Sequence, residues 1–225
     1  MTEYYQSHSR LYVAVDCIIF GIKDGRLSIL LTHRAFEPEK GKWSLFGGFC
    51  EVDESIDDAA ARVLGELTGL SNVYMHQLGA FGAVDRDPGE RVVSISYYAL
   101  LNSSDVDAKL LRDHGAVWTD LDSLPELGFD HLLMIQKARQ SLRQRIMSAP
   151  LAFRLLPPLF TLTQLQTLCE LVLGQPVDKR NFRKRAMENP AIEATDIIDK
   201  NGSRRGARLY RFNWDTFSRN PNFKI

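Results

Sequence analysis

Cysteine is scarce in this 225-residue sequence: Cys17, Cys50 and Cys169 stand far apart. They are too few and too scattered for a disulfide framework or a zinc site, so the expected compartment is a reducing cytoplasm. Long apolar runs are missing as well. The longest candidate, Leu11 to Ile22, is interrupted by Asp16, short of the roughly 18 consecutive apolar residues of a membrane span. The polar opening MTEYYQSHSR is not expected to be a cleavable secretory signal. There is no internal repeat and no long low-complexity tract. Net charge is absent too, with 28 Lys and Arg against 28 Asp and Glu. A hydrophobic fraction of 44% excludes wholesale disorder and collagen-like architecture. At roughly 100–200 residues per domain, the length suits one large domain or two smaller ones.

The zero balance conceals a division. Residues 1–150 carry 15 basic and 21 acidic side chains, whereas residues 151–225 carry 13 basic and 7 acidic. Such asymmetry suggests two modules with different partners, the basic one suited to a polyanion such as nucleic acid. A fluctuation of surface charge would give the same count, so the placement of the basic residues decides.

Leu11–Ile22 and Arg26–Arg34 read as strands joined by a tight turn at Lys23-Asp24-Gly25, because Asp-Gly favours a hairpin. Ser55 is a candidate N-cap for a helix to about Thr68, with Asp57 and Asp58 in the first turn and Gly69 as its stop. Strands follow at about Asn72–Phe81 and Arg91–Leu101, then a helix at about His131–Met147. This mixture predicts an α/β layered domain. The stretch from Ser148 to Pro158 reads as a boundary. Beyond it, Thr163 is expected to cap a helix Gln164–Leu173, and Asp178 a second helix Lys179–Glu188. The short connection between them has helix-turn-helix spacing. Two strand-like runs, Ala194–Asp199 and Arg208–Asn213, flank a polar loop, which completes the pattern of a winged helix.

Gly48, Glu54, Arg62, Leu64, Glu66, Gly69 and Leu70 stand in the order and spacing of the Nudix signature. The match is long and gapped, so chance agreement is far less probable than for a short glycine motif. The resemblance implies a Nudix-like α/β/α sandwich with a mixed sheet. Two positions depart from the pattern: Val63 and Leu67 stand where Nudix enzymes carry glutamates. Residues 63, 66 and 67 are expected on one helix face. In an active family member, carboxylates there would hold divalent metals, which require oxygen ligands. Glu66 alone remains, and one carboxylate is not expected to assemble that cluster. The expectation is a domain with no metal site and no catalytic residues, whose pocket recognises a nucleoside diphosphate derivative without efficient hydrolysis. Glu54 and Arg62 are expected to brace the loop against the helix.

Arg34 and Arg86 are candidates for a diphosphate, because guanidinium forks match phosphate oxygens. Trp43 and Phe36 are candidates for a nucleobase face, whereas Phe46 is expected to pack in the core. Gly48, Arg62 and Glu66 of the box complete the expected ligand set. The segment Asp85-Arg86-Asp87-Pro88-Gly89 resembles the equivalent region of ADP-ribose-handling Nudix proteins, and that resemblance favours ADP-ribose as the ligand.

The second basic helix holds Lys179, Arg180, Asn181, Arg183, Lys184 and Arg185, leaving Phe182 and Met187 to pack inward. A recognition helix needs this division between apolar anchors and groups facing phosphates and base edges. Arg204 and Arg205 at the hairpin tip are expected to reach a minor groove or the flanking backbone. Arg180, Asn181, Arg183 and Arg185 are the base-contact candidates; Lys179, Lys184 and the tip arginines are expected to neutralise phosphate. A plain solvated helix is the competing reading.

The two halves together, with Phe129-Asp130-His131 before the long helix and Arg180-Asn181-Phe182-Arg183 in the basic one, resemble the Nudix-related transcriptional regulators of NAD metabolism. The resemblance covers nearly the whole chain. It implies an effector domain over residues 1–148, a linker over 149–160 and a winged helix over 161–225. It further implies a homodimeric bacterial repressor of NAD-biosynthesis genes that binds a palindromic double-stranded operator. ADP-ribose would release it, and no cofactor would be required. The competing readings are a Nudix ADP-ribose pyrophosphatase with an accessory module, and a nucleotide-binding scaffold that contacts RNA or protein.

Overall fold

The computed structural model describes residues 3–106, 108–200 and 206–225. Arg204 and Arg205, expected at the hairpin tip, lie outside the described residues. The chain divides into two compact units. One runs to Phe20 and includes Ser28–Ala99 and Ser104–Ala138; the other comprises Gly21–Leu27, Leu100–Ser103 and Arg139–Ile225.

A short helix α1 (Glu3–Gln6) precedes the strands β1 (Tyr12–Lys23), β2 (Arg26–His33), β3 (Trp43–Ser44) and β4 (Phe46–Phe49). Helix α2 (Ile56–Thr68), strands β5 (Met75–Phe81) and β6 (Val92–Leu100), helix α3 (Ala108–Asp113), strand β7 (Ala116–Asp120) and helix α4 (His131–Arg145) follow. The sheet runs β3-β2-β1-β6-β5, with β4 paired to β1 and β7 to β2. Its β1–β4, β2–β3, β2–β7 and β5–β6 pairings are antiparallel. The β1–β2 turn places Asp24 at φ 50° and Gly25 at φ 74°. Two consecutive left-handed residues make the tight turn that follows strand twist, which is why Asp-Gly stands there.

Val15, Cys17, Ile18, Ile19 and Phe20 of β1 and Leu27, Ile29, Leu30 and Leu31 of β2 are all buried. These central strands are covered on both faces, so they read as continuous apolar runs and not as alternation. Helix α2 starts where its capping chemistry dictates: Ser55 Oγ accepts from the Asp58 amide, while the Asp58 carboxylate accepts from the Ser55 amide. Gly69, at φ 70°, ends it. Strand β5 begins at Met75 and not at Asn72, because Asn72 adopts φ 57° and cannot continue a strand. Helix α3 and strand β7 carry no capping or alternation strong enough to read from sequence.

The second unit contains α5 (Ala152–Leu155), α6 (Leu162–Leu173), α7 (Lys179–Glu188), β8 (Ile192–Asp199), β9 (Ala207–Phe212) and α8 (Trp214–Arg219). The cap of α6 is Thr161 and not Thr163. Thr161 Oγ1 accepts from the Gln164 amide at 3.1 Å, and the Gln164 side chain accepts from the Thr161 amide at 2.7 Å. Thr163 already lies in the first turn. Asp178 caps α7 by accepting from the Asn181 amide at 2.7 Å. Strands β8 and β9 pair antiparallel, with a register shift between Ala194 and Ile198. Phe153 stacks on Phe212 with centroids 4.0 Å apart, and Phe160 and Phe223 pack against Phe153 at 5.3 and 5.7 Å. Burial pushes the thiols of Cys17 and Cys169 up to about 12.

Candidate ligand cavity and nucleic-acid surface

A cavity of about 410 Å³ opens in the first unit, walled by Ala14–Asp16 of β1, the end of β2 through Phe36, β4, and the loop carrying Phe129. Strand β4 can cross β1 closely because Gly47 has no side chain. A Cβ there would collide with the Asp16 carboxylate and stand 2.6 Å from the Val15 carbonyl. Of the residues singled out from sequence, Arg34, Phe36, Gly48 and Arg86 line this cavity. Trp43, Arg62 and Glu66 do not. The Trp43 ring lies against His33 with centroids 3.7 Å apart, and its carbonyl accepts from the Gly128 amide at 2.8 Å, so it supports the wall. Phe46, expected in the core, is half-buried and lines the cavity; β4 is half-solvated along its length, and its pleat does not take this ring inward.

Arg62 braces the loop as expected. Its Nε and Nη2 donate to the Glu54 carboxylate at 3.0 and 2.6 Å, and Nη2 also donates to the Phe49 carbonyl at 3.0 Å. The bond from Arg62 pulls the Glu54 carboxyl down to about 2. Residues 63, 66 and 67 do not share one environment. Val63 and Leu67 are 7% and 2% exposed, whereas the Glu66 side chain is 62% exposed, 3.8 Å from Arg62 Nη1. Position 66 is offset by about 60° from 63 and about 100° from 67 around the helix, enough to turn it outward. A magnesium ion requires several oxygen donors. Of the three positions 63, 66 and 67, only Glu66 offers a carboxylate, directed to solvent, and Val63 packs 3.0 Å from where a Gly48 Cβ would stand. These residues do not fit the divalent ions of a Nudix hydrolase.

The floor of the cavity is a buried polar cluster. Arg86 donates from Nε to Asp130 at 3.1 Å and from Nη2 to Asp130 and Asp16 at 2.8 and 3.4 Å. Ser94 Oγ donates to Asp16 Oδ2 at 2.6 Å. His131 Nδ1 accepts from the Leu45 amide at 3.1 Å, which leaves the proton on Nε2, 3.5 Å from Asp16 Oδ1. Burial pushes the Asp16 carboxyl up, but His131, Ser94 and Arg86 outweigh it and the net shift is downward. Ser94 goes unremarked in the sequence, and Asp16 and His131 stand out there only as a break in an apolar run and as part of a family motif, not as site residues. The available signal was an acid in the middle of an apolar strand, which must find partners when buried.

Arg34 is held differently. Its Nε donates to the Pro38 carbonyl at 2.8 Å, and its guanidinium carbon lies 4.6 Å from the Phe36 centroid and 4.7 Å from that of Phe129.

In the second unit, α7 buries Phe182 and Ala186. Met187 does not pack inward; it is 60% exposed, because Ala186 follows Phe182 by one turn and residue 187 lies about 140° away. Lys179, Arg180, Asn181, Lys184 and Arg185 are exposed. Arg180, Asn181, Arg183, Lys184 and Met187 line one concave surface. Arg185 lies apart, with Asn189, Asn220, Asn222 and Lys224. Arg183 is half-buried and donates from Nη2 to Thr163 Oγ1 at 3.1 Å, so α6 positions it. No described helix is long and apolar enough to cross a membrane.

The NUDIX domain profile matches residues 10–140, and that of the NrtR DNA-binding winged helix domain matches residues 152–212. The chain is 36% identical over 204 residues to the ADPR responsive transcriptional repressor NtrR of Acinetobacter baylyi, spanning 89% of this chain and 81% of that protein. Its fold is similar to that of Shewanella oneidensis NrtR complexed with a 27mer DNA, with a TM-score of 0.83, 30% identity and coverage of 95% and 97% of the two chains. The NUDIX domain of Shewanella oneidensis NrtR complexed with ADP ribose is similar at a TM-score of 0.51 and 30% identity, covering 63% of this chain and 99% of that one.

Proposed function

Since this chain belongs to the NrtR family, a Nudix domain joined to a family-specific winged helix, we propose that it is a DNA-binding transcriptional repressor released by ADP-ribose. The observation that carries this reading is similarity over 95% of the chain to an NrtR complexed with DNA. Helix α7 supplies the matching chemistry: an apolar underside of Phe182 and Ala186 and an outward surface of Arg180, Asn181, Arg183 and Lys184. The target is a palindromic duplex controlling genes of NAD metabolism, bound by a homodimer. Its half-sites then lie about one helical turn, ~34–36 Å, apart.

The cavity is the effector site and not a hydrolytic centre. Apolar Val63 and Leu67 beside the solvated Glu66 support that reading, because Nudix hydrolysis of a diphosphate draws on metal-held water. ADP-ribose lowers operator affinity by binding the free conformation better than the DNA-bound one. A typical coupling of about 1–3 kcal/mol corresponds to roughly 5–150-fold.

The test is a titration of duplex from the gene's own upstream region at fixed salt, with and without ADP-ribose, alongside an assay for AMP and ribose 5-phosphate. Weakened binding with intact ADP-ribose recovered is the expected result. Unchanged affinity with bound ADP-ribose overturns the sensor, and magnesium-dependent turnover makes the protein a pyrophosphatase.

A further inference from the structure

The cavity contains two arginines, and their surroundings differ. Arg86 faces two carboxylates, Asp16 and Asp130, and its side chain is 4% exposed. Its charge is more than matched, so an approaching phosphate would meet an excess of acid at that point. Arg34 has no carboxylate partner among the described residues. With Nε committed to Pro38, its two terminal nitrogens stay free to donate in the paired geometry that suits phosphate oxygens.

Phe129 connects these two arrangements. The Arg34 guanidinium lies over the ring of Phe129 as well as that of Phe36, and Phe36 is 66% exposed. Phe129 stands at φ 54°, a left-handed conformation that a bulky side chain rarely adopts. Strain of this kind persists where the surroundings over-determine it, and it is a pointer to function. Here the surroundings are identifiable. Gly128 on one side donates to the Trp43 carbonyl at 2.8 Å, and Asp130 on the other is gripped by Arg86. The buried ion pair fixes the backbone, and the backbone directs the ring onto Arg34.

We infer that Phe129 is a positioning residue: clamped through Asp130 and Arg86, it holds the Arg34 guanidinium for a diphosphate, and Arg34, not Arg86, is the anion-binding group. This deepens the functional reading above and rests on it. An aromatic face also raises the worth of a cation in a partly desolvated site. The arrangement therefore selects ligands by their diphosphate and not only by their base.

The test is calorimetric titration of ADP-ribose into the full chain at low and high salt. The proteins compared are the wild type, Arg34→Ala, Phe129→Gly, the double variant and Phe129→Tyr. Glycine accepts the left-handed φ, so the first Phe129 variant removes the ring without removing the turn. The expected result is roughly 2- to 30-fold weaker binding for Phe129→Gly, with loss of part of the salt dependence, as for Arg34→Ala. The double variant should be no weaker than Arg34→Ala alone, and Phe129→Tyr should bind like wild type. An effect of Phe129→Gly that keeps the full salt dependence, or that adds completely to Arg34→Ala, overturns the assignment. Wild-type protein that binds no ADP-ribose overturns the functional reading beneath it.

Discussion

Arg62 grips Glu54 through two guanidinium nitrogens, at 3.0 and 2.6 Å, so the surviving charged pair of the Nudix motif acts on a loop. The consequence is a titration. Glu54 falls from 4.5 to about 2 in the folded protein. A depressed carboxyl contributes stability that is fully present above its unfolded value and is lost as pH falls through the folded one. Thermal unfolding followed from pH 5 to pH 2 should show wild type losing more stability than Glu54→Gln. Parallel curves would show that the pair contributes nothing to folding.

The Arg86 cluster makes a larger claim. Replacing Arg86 by Met leaves Asp16 and Asp130 facing each other's charge in a buried site, and breaking such a pair costs about 3–5 kcal/mol. Urea unfolding at neutral pH measures it. Asp16 is held below its usual 3.8, so its contribution is present above that value and disappears below it. The gap between wild type and Arg86→Met should therefore narrow as pH falls through the carboxylate range.

On α7, two neighbouring apolar residues should behave in opposite ways. Phe182 is 3% exposed, and Phe182→Ala should cost about 3–5 kcal/mol. Met187 is 60% exposed, and Met187→Ala should stay within about 0.5 kcal/mol of wild type. Denaturant midpoints of the two variants separate them directly; a large loss at Met187 would mean that the helix is rotated.

Duplex binding distinguishes the roles along the same helix. Lys184→Ala should weaken all sequences alike and reduce the salt slope by about one unit. Arg180→Ala should cost about 1–3 kcal/mol on the operator and relax preference at one position. Equal losses on specific and random duplexes for Arg180→Ala would remove it from base readout.

Much of this architecture was legible because it depends on local chemistry. Asp24-Gly25 specified the hairpin, Ser55 and Gly69 bounded α2, and Asp178 opened α7. Thr163 misled because Thr161 offers the same hydroxyl two residues earlier, and the glutamine that completes its box answers only Thr161. The charge of α7 is plain in the sequence, but Met187 reads as an inward residue only when residue type is weighed above helical phase. In the cavity, Arg34 and Phe36 were legible as single residues. Their coupling to Phe129, and the engagement of Arg86 by Asp16 and Asp130, join positions up to 114 residues apart. No spacing rule reports such pairings, and only the sheet register and the start of α4 bring them together.

The packing of the thiols settles how the molecule can be labelled. Cys17 and Cys169 are 1% and 0% exposed, and with thiols near 12 almost none of either is ionised at neutral pH, the form that reacts. The Cys50 thiol is also shifted upward, by burial and by Glu54, but it is half-buried and so within reach of solvent, on the loop that Arg62 secures. A maleimide dye therefore has one practical point of attachment, and it sits at the end of the strand that lines the cavity.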